Sequence, residues 1–61
     1  MEENRIGTFI RNRRLELGMT QQQLADRLGI TDKAVSKWER CVSYPDITLL
    51  RELAEALGVS V

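Results

Sequence analysis

Five side chains near the middle of this chain, Asp32, Lys33, Ser36, Lys37 and Arg40, offer a compact set of polar groups suited to recognition. Taking Asp32 as zero and about 100° per residue of helix, Ser36 falls near 40°, Arg40 near 80°, Lys33 near 100° and Lys37 near 140°. Ammonium, guanidinium, hydroxyl and carboxylate groups on one face suit base edges or phosphate oxygens. Ala34, Val35, Trp38 and Glu39 take the remaining arc, so the opposite face is apolar and anchored by Val35 and Trp38. A helix held by that back, with its polar face outward, fits a major groove. Bond-making chemistry lacks its parts: there is no His, so Ser36, Ser43 and Cys41 have no histidine base, and no Gly-rich phosphate loop is present. The expectation is a protein that is not an enzyme and needs no cofactor. The single Cys41 allows no internal disulfide, and with no His there is no His/Cys metal set.

The elements that must position these residues are legible from caps and turns. Thr20 and Gln23 form a capping box, in which hydroxyl and amide reciprocally satisfy the amide groups left unpaired at a helix start. A helix therefore begins at Gln21, with Gln21, Leu24, Ala25 and Leu28 on its inner side and Gln22, Gln23, Asp26 and Arg27 outside. Gly29 supplies the left-handed conformation that ends it, Ile30 offers a core contact, and Thr31 caps the next helix. The result is a helix-turn-helix over about residues 21–40. Ala25 sits where the second helix must cross closely, and Gly29 where the backbone reverses; a bulky residue at either site is expected to push the helices apart.

The flanks read as scaffold. From Arg5 to Leu17, the residues Ile6, Phe9, Ile10 and Leu17 recur at helical spacing before Gly18 ends the run and Met19 closes over the core. From Ile47 to Leu57, the residues Ile47, Leu50, Leu53, Ala54 and Leu57 do the same, entered through Pro45 and Asp46. Both stripes are assigned to the core, as in ordinary amphipathic helices. Sixty-one residues make one small domain, residues 1–61, without room for a large catalytic cleft. The formal net charge is zero, yet between Asn4 and Arg40 eight cations face four carboxylates, a balance of +4, and both flanks are net acidic. A basic face that attracts phosphate is compatible with that division, as is an ordinary solvated surface. No run approaches a membrane span, and Met1–Arg5 is acidic rather than signal-like, so a cytoplasmic location is expected and no membrane partner.

Q-x-x-L-A-x-x-x-G-I-T-x-x-x-V-S-x-W-E from Gln21 to Glu39, with R-R-L-E-L-G-M-T ahead and P-D-I-x-x-L-x-x-L-A-x-x-L-G-V-S behind, resembles the helix-turn-helix family typified by lambdoid phage Cro and repressor proteins. That XRE-like resemblance runs from about Arg5 to Val59. It implies an all-α fold: a compact four-helix, lambda-repressor-like DNA-binding domain, truncated from five helices. It implies a transcriptional regulator, a repressor occupying a double-stranded DNA operator, and a homodimer on an inverted repeat with half-sites about 34 Å apart.

Site residues follow from the resemblance position by position. Asp32, Lys33, Ser36 and Lys37 match base-reading positions, and Gln21 matches a phosphate contact from the first helix of the motif. A lysine can donate to guanine O6 and N7, and a good base contact discriminates by about 1–3 kcal/mol. Asp32 either accepts from cytosine N4 or contributes favourable charge at a helix N-terminus. Thr31, Arg40, Ser43 and Tyr44 are expected backbone contacts that position without specifying. Periodicity places Arg13 on the inner face of the first helix. The resemblance instead pairs Arg14 with Glu39, leaving Arg13 to lay its methylenes on the core with its charge outward.

Three departures from the family pattern matter. Cys41 stands where similar sequences carry glycine, which implies strain or a different exit from the helix. The loop from Val42 to Asp46 lacks the cations many relatives place on phosphate. Only Val61 follows G-V-S, where a fifth helix is expected, so Leu57 and Val59 are expected to be exposed. Two other readings compete: a protein-interaction module with a degenerate helix-turn-helix, and an antitoxin DNA-binding domain with a toxin partner. Salt response separates the first from a DNA binder, because phosphate binding weakens steeply as salt rises.

Overall fold

The computed structural model describes residues 6–59 as four helices and no strand. In chain order these are α1 (Ile6–Glu16), α2 (Gln21–Leu28), α3 (Asp32–Glu39) and α4 (Ile47–Leu57). The start of the first helix at Arg5, the acidic Met1–Arg5 segment and Val61 lie outside the described residues. The helices enclose one core, in which Ile10, Leu24, Val35 and Leu57 are almost wholly buried, with Ala25, Leu28, Trp38, Leu53 and Ala54 around them. Each middle helix contributes the stripe its periodicity predicts: Leu24, Ala25 and Leu28 from α2, Val35 and Trp38 from α3.

The first helix departs from expectation at Phe9 and Leu17. Its buried residues are Gly7, Ile10 and Arg14, spaced three and four apart. The inner stripe is therefore centred on Ile10, with Ile6 partly buried and Phe9 and Leu17 largely exposed. The reason is a close approach to α3. A Cβ on Gly7 would collide with the carbonyl oxygen of Trp38 and lie 3.3 Å from that of Glu39. Only a residue without a side chain lets α1 settle that near the end of α3, and the rotation that results carries Arg14 inward.

At the far end, Ile47 is the first residue of α4 and is 78% exposed, against its assignment to the core. Only the start of α4 stands clear of the core: Leu49 and Leu50 are half-buried, Leu49 packs against the core, and burial is firm from Leu53 onward. Leu57 is 1% exposed and Val59 half-buried, so the exposure expected at that end does not occur at Leu57. An open apolar groove of about 150 Å³ remains between α1 and α4, lined by Ile6, Phe9, Leu50, Leu53 and Val59 among others.

Candidate nucleic-acid interface

The helix-turn-helix is built from local hydrogen bonds. Thr20 Oγ1 accepts from the Gln23 amide at 3.0 Å, and Gln23 Oε1 accepts from the Thr20 amide at 2.8 Å, closing the capping box. After Leu28 the chain turns through Gly29, at φ 71° and ψ 30°, and the Ile30 amide reaches back to the Ala25 carbonyl at 3.0 Å. A Cβ at Gly29 would meet no atom within 4 Å. The turn therefore needs glycine for its left-handed backbone rather than for space, which corrects the steric half of the sequence argument at that position. Ala25, fully buried, keeps the steric role. Thr31 then caps α3, its Oγ1 accepting from the Ala34 amide at 3.3 Å.

Across α3 the two faces separate cleanly. Val35 and Trp38 are buried, while Asp32, Lys33, Lys37 and Arg40 are exposed and Ser36 is half-buried at the border. Thr31 and Tyr44 are exposed, and Ser43 is half-buried beside the buried Pro45. One turn of α3 links two of the polar residues: Arg40 Nε donates to Ser36 Oγ at 3.3 Å. The spacing of four residues could have suggested that bond.

The back of α3 is locked to α1 by a bidentate ion pair. Arg14 Nε donates to Glu39 Oε2 at 2.7 Å and Nη2 to Oε1 at 3.0 Å, while Nη1 donates to the Met19 carbonyl at 2.8 Å. The pair is buried, its two side chains only 9% and 3% exposed. Gln21 Nε2 adds a bond to Glu39 Oε1 at 3.1 Å, so the carboxylate ties α1, α2 and α3 together. Burial pushes the Glu39 carboxyl up, but the hydrogen bonds from Arg14 and Gln21 and the charges of Arg14 and Arg11 outweigh it and hold the group below its ordinary value. The hydrogen bond to Glu39 likewise holds Arg14 above its ordinary value, against the opposing effect of burial. Both groups stay charged across the neutral range.

Periodicity nominated Arg13 for the inner face, and the structure places it half-buried at the border instead. Its charge does not simply face outward either. Arg13 Nε donates to the Leu57 carbonyl at 2.7 Å, and Nη1 pairs with Glu16 at 3.1 Å. It thus satisfies a carbonyl at the C-terminus of α4, where a cation is favoured. Neither this contact nor that between Gln21 and Glu39 leaves a local signal in the sequence, since the partners lie 44 and 18 residues apart.

The exit from α3 follows the glycine pattern without the glycine. Cys41 takes φ 64°, and the Val42 amide bonds back to the Lys37 carbonyl at 2.9 Å. Among the described residues, no group of His, Cys, Asp or Glu side chains could hold a metal ion, and no helix is long and apolar enough to cross a membrane.

A family profile described as helix-turn-helix matches residues 10–61, most of the chain. The chain belongs to the helix-turn-helix family. Among helix-turn-helix relatives, an HTH-type transcriptional regulator of Methanothermobacter thermautotrophicus is 41% identical over 51 residues, covering 84% of this chain and 74% of the relative. An SPbeta prophage-derived HTH-type transcriptional regulator of Bacillus subtilis is 39% identical over 55 residues, covering 90% of this chain and 51% of the relative. The chain spans 40% of a similar regulator of Sinorhizobium medicae, which is 36% identical over 56 residues. Among solved structures, the P22 c2 repressor in complex with a synthetic operator matches with a TM-score of 0.87 and 36% identity, over 90% of this chain and 83% of that one. The four helices thus form the lambda-repressor-like helix-turn-helix fold.

Proposed function

We propose that this chain is a sequence-specific DNA-binding transcriptional regulator, a repressor that acts by occupying an operator with α3 in the major groove. The observation that carries the reading is the division of α3, with Val35 and Trp38 buried and Asp32, Lys33, Lys37 and Arg40 exposed on the other side. The likeness to a repressor solved on an operator supports the same reading. In this arrangement Asp32, Lys33, Ser36 and Lys37 face base edges, while Gln21, Thr31, Arg40, Ser43 and Tyr44 contact phosphates. Gln21 gives one amide hydrogen to Glu39, and the second serves the phosphate. The bidentate Arg14–Glu39 pair holds α3 at the angle that presents its polar face. Two copies bind an inverted repeat, and occupancy alone, without catalysis, metal or cofactor, produces the effect.

The test is binding of the purified chain to mixed-sequence duplex DNA over a range of salt concentrations, beside a variant carrying Lys33→Ala and Lys37→Ala. Affinity falls steeply as salt rises, because phosphate contacts release counterions, and the variant binds more weakly. Absent or salt-insensitive binding by a folded chain overturns the reading in favour of a protein-interaction module.

A further inference from the structure

We infer that Arg11 grips a backbone phosphate of DNA beside the last turn of α3, so that α1 joins the two helices of the motif in holding the duplex. The inference rests on the operator reading above and deepens it, since Arg11 has no part in the contacts proposed there.

The placement of Arg11 follows from its neighbours on α1. Gly7 and Arg14 both meet the end of α3: a Cβ on Gly7 would lie 3.3 Å from the Glu39 carbonyl oxygen, and Arg14 bonds the Glu39 carboxylate at 2.7 and 3.0 Å. With Gly7 at zero and about 100° per residue, Arg13 falls near 240°, Ile10 near 300°, Arg14 near 340° and Arg11 near 40°. Gly7, Ile10 and Arg14 are buried, so Arg13 and Arg11 stand on opposite borders of the inner face. The Arg13 border faces α4, because Arg13 Nε donates to the Leu57 carbonyl at 2.7 Å. The Arg11 border is therefore the one beside α3. In keeping with that, the charge of Arg11 helps to hold the Glu39 carboxyl below its ordinary value.

The three arginines of α1 differ in what they hold. Arg13 is engaged with Leu57 and Glu16, and Arg14 with Glu39 and Met19. Arg11 is exposed and makes no hydrogen bond or ion pair among the described residues. The acceptors at the end of α3 already have other donors: Arg14 and Gln21 at the Glu39 carboxylate, and the amides of Arg40, Cys41 and Val42 at the carbonyls of Ser36, Trp38 and Lys37. Arg14 and Glu39 neutralise one another, which leaves Arg11 and Arg40 as cations without a carboxylate partner among the described residues. Gln21, the phosphate contact on α2, bonds that same carboxylate at 3.1 Å. Arg11 thus stands at the rim of the recognition face, where the phosphates that wall the groove pass. A guanidinium with its N–H donors disengaged can take two oxygens of a phosphate at once.

The experiment begins by enriching duplexes from a randomised pool with the wild-type chain. The selected duplex and an unrelated one are titrated over a range of salt with wild type, Arg11→Ala and Arg11→Lys, each shown to be folded by circular dichroism. Arg11→Ala binds both duplexes severalfold more weakly, and its plot of log affinity against log salt is shallower by about 1. Arg11→Lys restores the slope, because the charge is what releases the counterion. A scan of the selected duplex with single neutral methylphosphonates then locates the contact: one substitution weakens wild type severalfold and leaves Arg11→Ala unaffected.

An unchanged salt slope in Arg11→Ala, even with a lower thermal midpoint, overturns the proposal and assigns Arg11 to the support of Glu39 alone. The absence of any methylphosphonate position that depends on Arg11 overturns it as well, and in both cases the operator reading stands. A folded wild-type chain that enriches no duplex overturns both.

Discussion

At Cys41 the backbone adopts φ 64°, and the residue carries a Cβ that this left-handed conformation disfavours by about 1 kcal/mol. The Val42 amide still reaches the Lys37 carbonyl, so the chain accepts the strain to complete its turn out of α3. Cys41→Gly is expected to stabilise the fold by about 1 kcal/mol and raise the midpoint of thermal unfolding by about 4–8 °C; an unchanged midpoint would show that the thiol contributes as much as the strain removes. Glu39 sets a different dependence, on acid. Its carboxyl titrates below the ordinary value of 4.5 in the folded chain, so between those two values the unfolded chain binds more protons than the folded one. The stability this group contributes is complete above about pH 4.5 and is lost as pH falls through its folded value. Urea unfolding across the acid range should show that slope in the wild type and a flatter one in Glu39→Gln. Arg14→Ala leaves the buried carboxylate without its main partner and should cost about 3–5 kcal/mol. That is a large fraction of the stability of a domain this small.

Among the elements, the seating of α3 depends on how closely α1 can approach it. Gly7 is the point of contact, because any side chain there meets the carbonyl oxygens of Trp38 and Glu39. Those oxygens belong to backbone and cannot move aside as a flexible side chain would. Gly7→Ala should destabilise the fold by about 1–3 kcal/mol through overpacking. It should also weaken operator binding beyond what unfolding explains, since displacement of α1 strains the Arg14–Glu39 bond that orients α3. Equal losses in stability and in the bound fraction, with no change in affinity per folded molecule, would mean that α3 keeps its angle. By contrast Gly29 has open space around it, and substitution there would act through its φ of 71° alone.

For the whole molecule, a net charge of zero conceals an uneven distribution: the segment through α3 is basic, and the flanks are acidic. Long-range steering by overall charge is therefore weak, and affinity for DNA depends on contacts made within a screening length of about 10 Å at 0.1 M salt. In the proposed arrangement each copy covers one half-site. Binding to a duplex bearing an inverted repeat, with half-sites one helical turn apart, should be tighter than to one half-site and should saturate at two chains per duplex. Titration followed by analytical ultracentrifugation reads both quantities; one chain per duplex at saturation would count against the dimeric arrangement.

The sequence by itself determined what depends on neighbours a few residues away. The Thr20–Gln23 box, the turn through Gly29, the Thr31 cap and the division of α3 between Val35 and Trp38 on one side and its polar residues on the other all rest on contacts within about five residues. Helical periodicity and capping are local, so they are written in local spacing. The tertiary structure alone decided which stripe of α1 faces inward. Of the apolar stripe Ile6, Phe9, Ile10 and Leu17, the structure buries Ile10 and partly buries Ile6, but with α1 seated on α3 at Gly7 the inner face runs through Gly7, Ile10 and Arg14 and leaves Phe9 and Leu17 exposed. The same holds for Arg13 on the Leu57 carbonyl and Gln21 on Glu39. These pairings arise from the docking of whole helices, where one close backbone contact sets the rotation of every side chain on the element, and no spacing along the chain records it.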